Sequence, residues 1–176
     1  MEKLESLARR VRSGDPDNLE SQASAVYFRA LFGNDFHRAQ PRWANAALDY
    51  GYAVFRAAIA RGLVAHGFLP ALGLFHASEQ NAFNLADDLI EPYRPLVDLH
   101  VNEHRAGHDV DELQPLDKAA LVSLLNVDVA MPRGTMSALS SIEHAVESLM
   151  RLYEGGSEKL LELPNLIGLA PHQYEC

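Results

Sequence analysis

At 176 residues, with 48% hydrophobic and 22% charged side chains, the chain is long and apolar enough for one packed domain and lies outside the disordered range. Its single cysteine, Cys176, excludes an internal disulfide, and the N-terminus Met1-Glu-Lys-Leu-Glu-Ser-Leu7 lacks the apolar centre of a secretion signal, so a cytoplasmic protein is expected. The net charge of −9 runs against the basic footprint of a nucleic-acid protein, but unevenly: residues 1–61 carry nine Lys/Arg against seven Asp/Glu, and residues 62–176 six against seventeen.

In chain order, Leu4, Leu7, Ala8 and Val11 have helical spacing and stop near Gly14. Asp15-Pro16 suits the cap and first turn of a second helix. There Leu19, Ala23, Val26, Tyr27, Ala30 and Leu31 form an apolar stripe ending near Gly33. Glu20 borders that stripe, where a carboxylate can reach an internal site, although a solvated surface position is the commoner outcome. Two basic groups, Arg9/Arg10/Arg12 and Arg29/His37/Arg38/Arg42, are either solubilising charge or a track for phosphates.

From Trp43 to about Val64 the sequence is apolar nearly all round, the pattern of a central strut packed on several sides. Arg56 and Arg61 on such a strut need carboxylate partners or exposed ends. The uncharged run Gly62–Ser78 is broken by Pro70 and too short to span a bilayer, so no membrane partner is expected. Phe68–Phe75 forms an apolar connector that delivers His76.

The segment His76–Asp98 carries the chemistry. One imidazole precedes a carboxylate cluster, a mixture that suits a divalent ion acting on phosphate, whereas the plainer alternative is an acidic helix entry favoured by the dipole. In one continuous helix His76 and Glu91 would stand about 22 Å apart, so they can share an ion only if the chain folds back. Asn81 suits the cap of a helix from Ala82, leaving a connector just long enough for that return. Asp87 and Asp88 share a helix face with Glu91, while Pro92 and Pro95 predict a kink.

Beyond it, Glu103–Leu113 reads as a polar loop. His100-Val-Asn-Glu103-His104 fits the pattern of inverted zinc peptidases, with His108 extending the row. No sheet-containing peptidase framework accompanies it, and a histidine-rich helix end is the preferred reading. Leu116–Leu125 and Met136–Tyr153 predict helices, Val127–Arg133 an irregular or briefly extended piece, and Glu158–Leu163 a last turn or two. The expected architecture is all-α: a single helical catalytic domain over residues 1–165 around a central buried helix, with a weakly ordered tail at 166–176.

His76, Asn81, Leu85-Ala-Asp-Asp-Leu-Ile-Glu-Pro-Tyr-Arg-Pro-Leu-Val-Asp98 and Leu48-Asp-Tyr-Gly-Tyr-Ala-Val-Phe-Arg56 closely resemble the CRISPR-associated adaptation integrase. Gly14-Asp-Pro-Asp-Asn-Leu-Glu20, Tyr27-Phe-Arg-Ala-Leu-Phe-Gly33 and Phe36-His-Arg38 look like its type II branch, and the resemblance runs from about residue 4 to 165. It implies a divalent-metal-dependent DNA endonuclease that inserts spacers into a CRISPR array by phosphodiester transesterification. The family's metal ligands fall on Glu20, His76 and Glu91, which are also its catalytic residues, and Asp88 matches an accessory acidic position. Mg²⁺ or Mn²⁺ is the implied cofactor. The implied partners are double-stranded DNA, a second copy of the chain, and a dimer of a small ferredoxin-like CRISPR-associated protein, with Arg29, Arg38, Arg42 and Arg56 as candidate DNA contacts. Family members carry an N-terminal β-rich dimerisation domain, and this chain starts where the helical domain starts. Ala77-Ser-Glu-Gln80 also replaces a more basic and aromatic connector. The alternative expectation is therefore a truncated, catalytically silent remnant that only binds or assembles.

Overall fold

The computed structural model describes residues 2–12, 14–40, 42–106, 111–155, 157 and 161–174. They belong to two units, Met1–Gln40 and Pro41–Cys176.

In the first unit, α1 (Glu2–Ala8) packs on α2 (Leu19–Phe32). Asp15 caps α2, though from a distance. Its carboxylate accepts the backbone N–H groups of Leu19 and Glu20, both at 2.8 Å, satisfying two of the helix's unpaired donors. Asn18, at φ 51°, occupies the cap position itself without a side-chain bond. Of the predicted stripe only Leu19 is fully buried, joined at the far end of α2 by Phe32. That end is an aromatic cluster, with Phe32 and Phe36 stacked at 4.5 Å and Phe28 about 6 Å from each.

The second unit is built around α3 (Trp43–Ala65), the predicted central strut. Around it lie α4 (Asn84–Ile90), α5 (Arg94–His104), α6 (Pro115–Ser123) and α7 (Ala138–Tyr153), all four touching α3. Leu48, Phe55, Ile59 and Leu63 are sealed from solvent, each contributing about 1.5–3 kcal/mol relative to exposure. A Cβ on Gly51 would collide with Cγ1 of Val97, so the missing side chain lets α3 and α5 approach closely. Gly51→Ala is therefore expected to destabilise by about 1–3 kcal/mol through overpacking. Urea denaturation with an unchanged midpoint would contradict that close approach.

The prolines act as predicted. α4 ends at Ile90, a 3-10 turn covers Glu91–Tyr93, and α5 starts anew at Arg94 with Pro95 in its first turn. Later elements begin where polar side chains close them. Asp117 accepts the backbone N–H of Gln114 at 2.8 Å and the Trp43 indole N–H at 3.0 Å, tying α6 to α3. Ser137 caps α7 by accepting the Ser140 N–H at 3.1 Å.

The all-α expectation is corrected here. An antiparallel three-stranded sheet, in the order β2-β1-β3, comprises β1 (Val127–Met131), β2 (Gly134–Ser137) and β3 (Asn165–Pro171). Val127, Val129 and Met131 are buried while Asp128 and Ala130 between them are half-exposed, a period of two over only five residues. Register pairs Val129 with Met136 and with Leu166. β2 therefore takes residues 136–137 from the start of the predicted helix, and β3 takes residues read as tail. Residues 158–160 of the predicted last turn lie outside the described residues. Among those described, no helix is long and apolar enough to cross a membrane.

Candidate metal centre

The connector after α3 does fold back, and Asp88 is what it folds onto. From the second turn of α4, Asp88 Oδ2 accepts the backbone N–H groups of Leu74 at 2.5 Å and Phe75 at 3.1 Å, and Oδ1 accepts that of His76 at 3.1 Å. The ring of His76 completes the set, with Nδ1 2.7 Å from Oδ1. Burial pushes the Asp88 carboxyl up, but the bonds from His76, Phe75 and Leu74 outweigh it and hold the group below its ordinary value. Asp88 is thus an ionised acceptor, so Nδ1 of His76 carries a proton and Nε2 is the ring nitrogen left over. Nε2 makes no hydrogen bond among the described residues. The His76 side chain is 38% exposed and that of Asp88 8%, so the pair has one anchored and one accessible end.

Two further residues shape this turn. A Cβ on Gly73 would collide with the His76 carbonyl oxygen and stand 2.9 Å from both Asp88 Oδ2 and Asn84 Cβ, so only glycine fits. Buried Asn84 donates its amide hydrogens to the carbonyls of Ala71 at 2.9 Å and Ser78 at 2.8 Å, fastening both sides of the loop. Asn81 lies outside the helix it was expected to cap. It accepts the Phe83 N–H at 3.0 Å and donates to Asp87 at 2.7 Å, which moves the helix start to Asn84.

The remaining acids have separate attachments. Asp87 is 3.8 Å from Arg56, whose guanidinium also lies 5.1 Å above the Phe83 ring, so the strut arginine has the carboxylate partner it needs. Glu91, on the 3-10 turn, meets Arg94 Nε at 2.9 Å. Arg94 in turn sits 4.8 Å above the ring of Tyr52, and the Tyr52 hydroxyl donates to buried Asp98. Glu20 stands exposed in the first turn of α2, in the first unit, its backbone N–H held by Asp15. Among the described residues no three His, Cys, Asp or Glu side chains are gathered so as to hold a metal ion. Of the predicted site residues, the fold brings His76 and Asp88 together.

Of the candidate DNA contacts, Arg29 is exposed in the last turn of α2 and Arg38 lies 5.8 Å over Phe28. Arg42 precedes α3, where its carbonyl accepts from Asn45 and Ala46. His100, Glu103 and His104 close α5, and His108 lies outside the described residues.

The family profile for CRISPR associated protein Cas1 matches residues 4–112. The chain belongs to the Cas1 family. It is 48% identical over 174 residues to the CRISPR-associated endonuclease Cas1 of Neisseria meningitidis serogroup C, an alignment covering 98% of this chain and 57% of that protein. A CRISPR-associated endonuclease Cas1 of Pyrobaculum aerophilum is 38% identical over 96 residues, covering 51% of this chain and 31% of its own. One of Thermus thermophilus is 34% identical over 107 residues, covering 54% and 34%. The chain thus spans only part of the length of each Cas1 relative. Tyr52, Gly73, Asn84 and Asp98 had no assigned role in the sequence reading. A lone aspartate inside Leu96-Val-Asp-Leu99 and a glycine inside an apolar connector were the signals available for two of them.

Proposed function

We propose that this chain is the helical catalytic portion of a CRISPR adaptation integrase, a divalent-metal-dependent DNA endonuclease acting on phosphodiester bonds. The observation that carries this reading is the His76–Asp88 pair. A carboxylate that holds one imidazole nitrogen fixes the tautomer and aims the other, the usual arrangement behind a metal-ligating histidine. Asp88 is then an orienting group for His76, and its oxygens are already taken by the loop.

Glu20, His76 and Glu91 would hold Mg²⁺ or Mn²⁺, with carboxylates suiting both ions and the imidazole favouring Mn²⁺. When bound, such an ion neutralises charge on a phosphodiester and on its leaving oxygen. The protein's own part is to present Nε2 of His76 on an anchored turn and to steady Glu91 through Arg94. Arg29, Arg38, Arg42 and Arg56 would meet the backbone of double-stranded DNA. A homodimer and a dimer of a small ferredoxin-like CRISPR-associated protein would complete the assembly that joins a fragment's 3′-hydroxyl to the repeat.

Glu20→Ala, His76→Ala and Glu91→Ala are each expected to abolish Mn²⁺-dependent nicking of branched DNA while circular dichroism stays that of the parent. Retained nicking in any two of the three defeats the ligand assignment. A parent chain that neither binds Mn²⁺ nor nicks DNA supports instead a silent assembly module, a reading in keeping with its acidic charge of −9.

A further inference from the structure

The far end of α5 carries a pair of imidazoles that the proposed nuclease chemistry does not use. His100 and His104 stand four residues apart on one helix face, with their rings stacked at 4.3 Å between centroids and 28° between planes. His104 Nδ1 lies 2.8 Å from the carbonyl oxygen of His100. A carbonyl only accepts, so His104 carries its proton on Nδ1 and leaves the Nε2 lone pair available.

We propose that His100 and His104 together chelate a borderline divalent cation, Zn²⁺, Ni²⁺ or Cu²⁺, on the last turn of α5. Two nitrogens bound to one such ion at about 2.0–2.1 Å can be separated by no more than about 4.2 Å, which side chains four residues apart on a helix reach once the rings turn out of their stack. The His104 ring is held to its own helix through Nδ1, so Nε2 is the nitrogen left for the ion. Imidazole nitrogen suits these ions, whereas Mg²⁺ demands oxygen ligands and stays hydrated.

The surroundings keep the ligands in the form that binds. Burial and the neighbouring His104 draw the His100 pKa down, with Glu103 and Asp117 pulling the other way, so the ring is neutral at pH 7. The same two carboxylates make the spot attractive to a cation. His104 is exposed and His100 half-buried, which leaves solvent to fill the other coordination positions. Chelation would fasten the final turn of the helix whose first residue, Arg94, holds Glu91.

The test titrates NiCl₂ into the 176-residue chain by calorimetry and follows thermal unfolding with and without ZnCl₂. Both ions are expected to bind and raise the melting temperature, MgCl₂ to do neither, and His104→Ala to lose both responses. His76→Ala, which removes the proposed nuclease ligand, is expected to keep them, so this proposal and the nuclease reading fail separately. Ring resonances of the parent protein supply an arm that needs no variant: His100 and His104 should shift together on adding Zn²⁺. Undiminished Ni²⁺ affinity in His104→Ala, or Zn²⁺ perturbation confined to other histidines, overturns the site.

Discussion

Replacing Asp88 by alanine is expected to release the turn that presents His76, abolishing the proposed nuclease activity without touching a proposed metal ligand. Four hydrogen bonds converge on this carboxylate, three from consecutive backbone N–H groups and one from the His76 ring. Bonds to a charged acceptor are worth about 1.5–3 kcal/mol each, but the Leu74 and Phe75 donors are exposed and water can replace their partner. The net loss is therefore expected near 2–3 kcal/mol, well short of four full bonds. Asp88→Asn does not rescue it, because the amide turns an NH₂ group towards donors that need an acceptor. The pH dependence has a definite sign. The folded carboxyl lies below its ordinary value, so its stabilisation is complete above about pH 4 and is lost as pH falls through the depressed folded value. Unfolding midpoints of parent and Asp88→Ala should converge on acidification. Midpoints that stay equally far apart well below pH 4, or an Asp88→Ala protein with full nicking activity, would show that Asp88 does not organise His76.

Legibility followed the length over which a pattern persists. α3 keeps its all-round apolar character across 23 residues, and sequence and structure place it within a residue or so of each other. The sheet did not show because β1 offers only five residues of alternation, β2 is four residues long, and β3 starts 34 residues after the end of β1, the one strand it pairs with. Exposed Leu166 and Ile167 give β3 no alternation to read. At the candidate site, the fold-back was legible from chain lengths, but its destination was not. Spacing puts Asp87, Asp88 and Glu91 on one face equally well, and only the close approach of Gly73 to Asp88 and Asn84 selects Asp88 as the partner of His76. Asn81 was placed in the right turn with the wrong role, since an Asn side chain can close either a helix or the turn before it.

Arg94→Lys is expected to weaken the proposed Mn²⁺ binding about tenfold, in the range seen when groups behind a ligand are altered, while changing stability little. The reasoning turns on exposure. Arg94 and Glu91 are 37% and 47% exposed, and an ion pair so open to water is worth under about 1 kcal/mol. Its consequence is orientation: the planar guanidinium rests on Tyr52 with Nε 2.9 Å from one oxygen of Glu91, a stacked placement that a flexible ammonium lacks. Beneath it the balance reverses. Asp98 is buried, and the Tyr52 hydroxyl donates to it, so Tyr52→Phe removes a bond to a desolvated charge and should cost about 1.5–3 kcal/mol. The phenyl ring that remains still supports Arg94, so Mn²⁺ affinity is expected to survive in Tyr52→Phe and to fall in Tyr52→Leu. Calorimetric Mn²⁺ titrations beside urea denaturation of the three variants separate the two roles. If Tyr52→Phe and Arg94→Lys instead lose affinity and stability in equal measure, Arg94 is part of the packing and Glu91 takes its orientation from elsewhere.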